Sequence, residues 1–330
     1  MPEVRFAHAI NQALSDALQA DERVVLFGED VAEPGGPFAV TRGLFAKFGE
    51  RRVRDTPISE AAIAGAAVGA ALSGLKPVIE IMFMDFVTLA MDALVNQAAK
   101  AHFMFGGQCA VPMVVRTPHG GGLNAGPQHS QCLEAWFAHV PGLKVVVPSN
   151  PADAYGLLRA AIDDPNPVIF VENKALYSAK GVLPDAPEAV PIGKANLCRA
   201  GSDVTIAAYG AAVSAALGAA RSLSEEGSDA EVIDLRSIQP WDAACVTESV
   251  NRTGRCVVVH EAVTPFGVGA EIAAVVSERC FDRLKAPVVR VGAEFMPIPF
   301  AKSLERECLP RAEEVAAAAR RVLTWKENAR

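Results

Sequence analysis

Short, continuous apolar runs alternate with longer stretches of helical periodicity along this whole chain, and that alternation is what most constrains its fold. Runs at residues 24–27, 77–82, 113–116, 144–147 and 168–171 read as buried strands, and patterns at 60–73, 86–103 and 152–162 read as helices between them. Strands apolar on both faces need cover on both faces, so the expected architecture is α/β, built on a mostly parallel, doubly wound sheet. Residues 1–20 read as a further amphipathic helix that carries acidic residues, unlike a signal peptide. The rhythm breaks between Lys180 and Asp203, where Pro184, Pro187 and Pro191 punctuate the chain. It resumes with strands at 204–208, 231–235, 256–260 and 287–291 and helices at 211–226, 242–252, 269–283 and 312–323. The expected organisation is two doubly wound domains, 1–185 and 203–330, joined by a linker at 186–202.

A chain of 330 residues exceeds one compact core and is comfortable for two. With 51% hydrophobic residues it can fill both cores and still present apolar surface to a partner. A net charge of −7 lacks the concentrated basic face that nucleic-acid binding requires. The one dense basic cluster, Arg51, Arg52 and Arg54, reads as a solvated loop. No apolar stretch reaches the length of a membrane span. Seven cysteines, an odd number without a C-x-x-C pair, read as reduced thiols in a cytoplasmic compartment.

Several familiar signatures fall short. Gly267-Val268-Gly269 opens a helix after a strand, but the third glycine of a dinucleotide loop is missing and Glu271 would crowd a pyrophosphate. His119-Gly120-Gly121-Gly122 resembles an esterase oxyanion loop, yet no G-x-S-x-G occurs anywhere in the chain. No P-loop is present either. The glycine-rich stretch 120–126 reads equally well as a free surface loop or as a mobile loop over a pocket.

Three segments form a more specific pattern. Asp55-Thr56-Pro57-Ile58-Ser59-Glu60 runs into a small-residue helix containing Gly65 and Gly69; Glu80-Ile81-Met82-Phe83-Met84-Asp85-Phe86 leads from strand to helix; Gln128-His129-Ser130-Gln131 precedes Pro141-Gly142-Leu143-Lys144. With Gly28-Glu29-Asp30 and Leu235-Arg236-Ser237-Ile238-Gln239-Pro240, these resemble, in order and spacing, the β subunit of the thiamine-diphosphate-dependent decarboxylating component of 2-oxoacid dehydrogenase complexes. The pyruvate type is the nearest resemblance, and acetoin-cleaving and branched-chain 2-oxoacid enzymes share the same motifs.

The resemblance implies an N-terminal pyrimidine-binding domain over 1–185 and a transketolase-like C-terminal domain over 203–330. It implies an enzyme that decarboxylates a 2-oxoacid, pyruvate favoured, and transfers the acyl group to lipoamide. Glu60 would touch the aminopyrimidine ring of thiamine diphosphate, Phe86 would stack on that ring, Met82 would line the pocket, and His129 would reach substrate and lipoyl group. The carbonyls of Met113, Ala161, Ile162, Asp164 and Asn166 would hold a potassium ion. The family binds diphosphate and Mg2+ through a Gly-Asp-Gly segment, which this sequence lacks, so an α subunit should supply it in an α₂β₂ heterotetramer. The second domain would dock the lipoyl acyltransferase core, an expectation that rests on fold analogy. A non-catalytic docking subunit is the alternative of another class.

Read without the resemblance, these residues keep local explanations. An acid such as Glu60 in a first helical turn suits the helix dipole. Phe86 at a strand-to-helix junction can be core, and Phe83 competes with it for stacking. The small residues of 61–71 permit close approach, either inside the domain or across a subunit interface.

Overall fold

The computed structural model describes residues 3–325. The first half contributes strands β1 (Glu3–Arg5), β2 (Val24–Gly28), β3 (Val53–Asp55), β4 (Lys76–Glu80), β5 (Val114–His119), β6 (Lys144–Val146), β7 (Val168–Asn173) and β8 (Lys180–Val182). The second half contributes β9 (Asn196–Arg199), β10 (Val204–Ala208), β11 (Ala230–Asp234), β12 (Ser237–Gln239), β13 (Cys256–Val263) and β14 (Val289–Ala293). Apart from a two-stranded antiparallel sheet of β1 and β8, the first large sheet runs β12-β6-β7-β5-β4-β2-β3 and the second β14-β13-β10-β11-β9. Within the two large sheets only the edge pairs β12–β6 and β11–β9 are antiparallel. Every residue of β5, β7, β10 and β11 is buried, as expected of strands covered by helices on both faces. The fold is thus the expected pair of doubly wound α/β units.

Local sequence explains several helix starts. Asn150 caps the helix Pro151–Asp163 by accepting from Asp153 N, and Pro151 at the first position has no N–H to leave unpaired. Asp242 caps Ala243–Thr253 in the same way, and Gly254 ends that helix in the left-handed region at φ 73°.

The structure departs from the sequence reading in several places. Residues 3–5 form β1, paired with β8, and the amphipathic helix begins only at Phe6; Met1 and Pro2 lie outside the described residues. The stretch 186–202 carries β9, an edge strand of the second sheet. The helix expected over 86–103 begins at Met84 and changes its winding from α to 3-10 (Thr88–Ala90) to π (Asp92–Ala98) to α (Ala99–Met104). Ala90, Leu94 and Ala98 are buried along it. The helix expected over 269–283 ends at Arg279, before a 3-10 turn over Phe281–Arg283. Strand β12 comes from the second half yet completes the edge of the first sheet beside β6. No helix among the described residues is long and apolar enough to cross a membrane.

Candidate functional site

In the first sheet the chain passes from β2 outward to β3, then back to β4 on the other side of β2. A crevice outside the carboxyl ends of strands at such a reversal is where open α/β sheets bind ligands. Glu29 follows β2, Glu60 follows β3, Met82 and Phe86 follow β4, and Gly120 follows β5. All therefore lie at the carboxyl edge of one sheet.

Glu60 is the first residue of the helix Glu60–Leu72 and is buried, whereas Pro57, Ile58 and Ser59 before it are exposed. Ser59 makes no side-chain cap, and Glu60 stands in the first turn as an acid favoured by the helix dipole. Glu29 is the residue that sequence reasoning left without a role. It is 4% exposed, and its Oε1 has no hydrogen-bond partner. Desolvation by burial, then the nearby charges of Glu60 and Asp30, raise its carboxyl above the ordinary glutamate range. Two buried acids thus adjoin at the crevice, one of them with an oxygen in need of a donor.

The second group is aromatic. The Phe86 ring meets Phe83 edge-on at 5.7 Å and His129 edge-on at 5.4 Å, and Phe83 meets His129 at 4.8 Å. Phe83 also touches Phe38 edge-on at 6.0 Å and lies under the Lys174 ammonium at 5.3 Å. Phe83 is therefore engaged on several sides and Phe86 on fewer. Lys174, just after β7, donates to the main-chain oxygen of His129. Burial lowers the Lys174 pKa, against the pull of Asp85, Cys132, Glu261 and Glu305. Asp85 accepts from the Gln131 side chain at 2.8 Å and keeps its other oxygen buried and unpartnered. Met82 is half-buried at the same strand end. The structure brings Phe86 and His129 together; among the described residues no hydrogen bond or ring contact joins Glu60 or Met82 to them.

A buried ion network underlies the crevice. Arg116, 1% exposed, donates to Glu172 at 2.7 and 2.9 Å and to Glu80 at 2.5 Å, while Tyr177 donates to Glu172 at 2.7 Å. Burial opposes the Arg116 charge, but Glu172 and Glu80 outweigh it and raise its pKa. Sequence reading missed this network because Arg116 closes a run that otherwise reads as an apolar strand.

The glycine-rich stretch is tied to the second half of the chain. Gly121 N donates to Glu261 Oε1 at 2.6 Å, Asn173 donates to Glu261 Oε2 at 2.5 Å, and Asn124 N donates to the Glu305 carboxylate at 3.0 Å. Gly120 sits at φ +85°, and a Cβ there would stand 2.6 Å from Glu261 Oε1, so glycine is required on both counts. The opposite holds on the helix Glu60–Leu72. A Cβ at Gly65 or Gly69 would meet nothing within 4 Å, and Ala61, Ala62 and Ala66 are exposed. That small-residue face is not needed for packing inside the chain.

Of the residues expected to hold a potassium ion, Ala161 and Ile162 lie in the last turn of the helix Pro151–Asp163, Asp164 and Asn166 follow it, and Met113 precedes β5. The Met113 carbonyl accepts from Val168 N at 2.9 Å and the Ala161 carbonyl from Asp164 N at 3.3 Å. Asp164 also accepts from Asn166 N at 2.9 Å and from Lys144.

Comparison with known proteins bears on this geometry. Residues 3–180 match the transketolase pyrimidine-binding domain and residues 193–315 the transketolase C-terminal domain. Pyruvate dehydrogenase E1 component subunit β-2 of Oryza sativa subsp. japonica is 47% identical over 97% of this chain and 86% of its own. The E1 β subunit of Rhizobium meliloti is 45% identical, over 98% of this chain and 70% of its own. The β subunit of acetoin:2,6-dichlorophenolindophenol oxidoreductase of Bacillus subtilis is also 45% identical, over 95% of each chain. Among solved structures, a split-gene transketolase described as an inactive β4 tetramer superposes with TM-score 0.81 at 25% identity, covering 98% of this chain and 99% of that one. This chain belongs to the family of pyruvate dehydrogenase E1 β subunits and their acetoin-oxidoreductase relatives, built from a transketolase pyrimidine-binding and a transketolase C-terminal domain.

Proposed function

We propose that this chain is the pyrimidine-side half of a thiamine-diphosphate-dependent 2-oxoacid dehydrogenase, acting on pyruvate and passing the acyl group to lipoamide. The observation that carries the reading is the buried pair Glu29 and Glu60 at the carboxyl edge of the sheet, with Glu29 Oε1 unpartnered. A neutral aminopyrimidine suits that pair, because a carboxyl there can share a proton with a ring nitrogen. When bound, thiamine diphosphate supplies the nucleophilic carbon that makes decarboxylation possible. Glu60 would hold a proton at the ring nitrogen, Phe86 would pack on the ring, Met82 would line the pocket, and His129 would reach substrate and lipoyl group. Lys174 fixes the His129 main chain.

The absence of a Gly-Asp-Gly segment supports an α partner that carries Mg2+ and the diphosphate, in an α₂β₂ heterotetramer. The outward small-residue face of Glu60–Leu72 supports a subunit contact there. The carbonyls of Met113 and Ala161, each accepting one main-chain hydrogen bond and keeping a second lone pair, support a potassium ion shared with Ile162, Asp164 and Asn166. We place the assembly in the cytoplasm, the domain boundary between 185 and 203, and the docking of a lipoyl acyltransferase core on the second domain. The acetoin oxidoreductase relative, as similar as the Rhizobium pyruvate dehydrogenase subunit, favours acetoin cleavage as the second reading.

The test is co-purification with the α partner and assay of thiamine-diphosphate-dependent turnover of pyruvate, branched-chain 2-oxoacids and acetoin, with Glu60→Ala as control. Activity that needs both chains and collapses in the variant is the expected result, and the preferred substrate names the enzyme. Full activity in Glu60→Ala, or turnover by this chain alone, overturns the mechanism. A stable complex inactive on every substrate makes the chain a docking subunit.

A further inference from the structure

A second set of donor groups, two of them buried and one half-buried, lies apart from the acid pair at the crevice. His119 closes β5, Cys132 lies just beyond the His129 segment, and Glu134 opens the short helix Glu134–Ala138. A ring nitrogen of His119, the Cys132 sulfur and a Glu134 carboxylate oxygen all lie within 4.8 Å of one another. His119 is 1% exposed and Glu134 0%. His119 Nδ1 and Glu134 Oε2 stand 3.2 Å apart. Glu134 Oε1 accepts from the Tyr209 hydroxyl at 2.8 Å, which fixes the carboxylate as outer-shell partners fix metal ligands. The His119–Glu134 hydrogen bond accounts for two of these atoms and leaves His119 Nε2 buried without a partner.

We propose that His119, Cys132 and Glu134 form a binding site for a thiophilic divalent cation of the zinc class, with water in the fourth position. The donor set is one imidazole, one thiol and one carboxylate. That combination suits zinc, copper or cobalt and not magnesium or calcium, which prefer oxygen alone. The charges balance: the Cys132 thiol loses its proton to solvent as the sulfur–metal bond forms, and thiolate plus carboxylate neutralise the dication. A cavity of about 330 Å3, lined by Ser130, Gln131, Cys132, Glu261 and apolar residues of the second domain, gives an ion access to the sulfur. This site is independent of the catalytic reading and needs no turnover to be detected.

The experiment uses the assembled enzyme, stripped with chelator, saturated with thiamine diphosphate and Mg2+, and titrated with Co2+. The expected result is one cobalt equivalent per chain with a thiolate-to-cobalt charge-transfer band, displaced by Zn2+. Cys132→Ser abolishes the band, Cys198→Ser keeps it, and Glu134→Gln weakens zinc binding at least about tenfold. Zinc raises the melting temperature of the native protein and leaves that of Cys132→Ser unchanged, so a loss of binding is separable from a loss of fold. No charge-transfer band in the native protein, or a band that survives Cys132→Ser, overturns the proposal.

Discussion

The Lys174 ammonium donates to the main-chain oxygen of His129 while standing over the Phe83 ring at 5.3 Å, so one buried cation holds both the histidine segment and the aromatic cluster. Lys174→Met keeps the aliphatic packing and removes the donor. Turnover of the assembled enzyme should fall about 10- to 100-fold through misplacement of His129. Steady-state kinetics with a melting curve on the same sample checks this; an unchanged kcat would mean that the segment is held by other contacts.

Glu60→Gln keeps the shape of the side chain and removes its acid. The assembled enzyme should still bind thiamine diphosphate, with turnover down by about 100-fold or more. Cofactor binding by calorimetry and turnover by assay separate the two effects. Loss of binding without any change in kcat at saturation would assign Glu60 to anchoring alone.

Arg116→Met leaves Glu80 and Glu172 buried without their cation. Breaking a buried pair from one side costs about 3–5 kcal/mol, so the melting temperature should fall sharply. Differential scanning calorimetry reads the change. A small shift would show that both carboxyls take up protons and tolerate burial.

Asp234 closes β11 and accepts from the Ser149 hydroxyl at 2.5 Å. Burial pushes its pKa up to about 7, with Asp153 adding to the rise and Ser149 and Arg236 opposing it. The unfolded chain releases this proton near pH 4 and the folded one near 7, so folding favours the protonated form. Its contribution to stability is fully present below about pH 4 and is lost as pH rises to about 7, by at most about 1.4 kcal/mol per pH unit. In Asp234→Asn that slope should vanish from denaturation midpoints measured across the window. An identical slope in the variant would assign the dependence to other groups.

Gly69→Leu tests the outward helix face. Nothing stands within 4 Å of a Cβ there, so the isolated chain should keep its stability and gain about 0.5–1 kcal/mol of helix propensity. The assembled enzyme should dissociate, seen by sedimentation. An intact assembly would place the subunit contact elsewhere.

Much of the fold was legible because its strands are buried on both faces and read as unbroken apolar runs, as in β7 and β10. The strands that were missed, β1, β3, β8, β9 and β12, have three or four residues and lie at sheet edges, where little burial marks them in sequence. The changing winding over 84–104 was hidden because a hydrophobic pattern gives a period and not the hydrogen-bond step. At the site, Glu60, Phe86 and His129 stood out through their surrounding motifs. Glu29, Lys174 and Arg116 did not, because their roles depend on burial and on partners far along the chain, such as Glu172 for Arg116.

The pairing of β12 with β6 has a consequence for how this protein is made. A ribosome releases β6 long before β12, so the nascent first sheet waits with an open edge, for seconds at ~5–20 residues per second. An open edge recruits other strands. Early recognition by chaperones, or rapid synthesis of the intervening segment, would matter more for the yield of this chain than for that of a protein whose first sheet closes on its own residues.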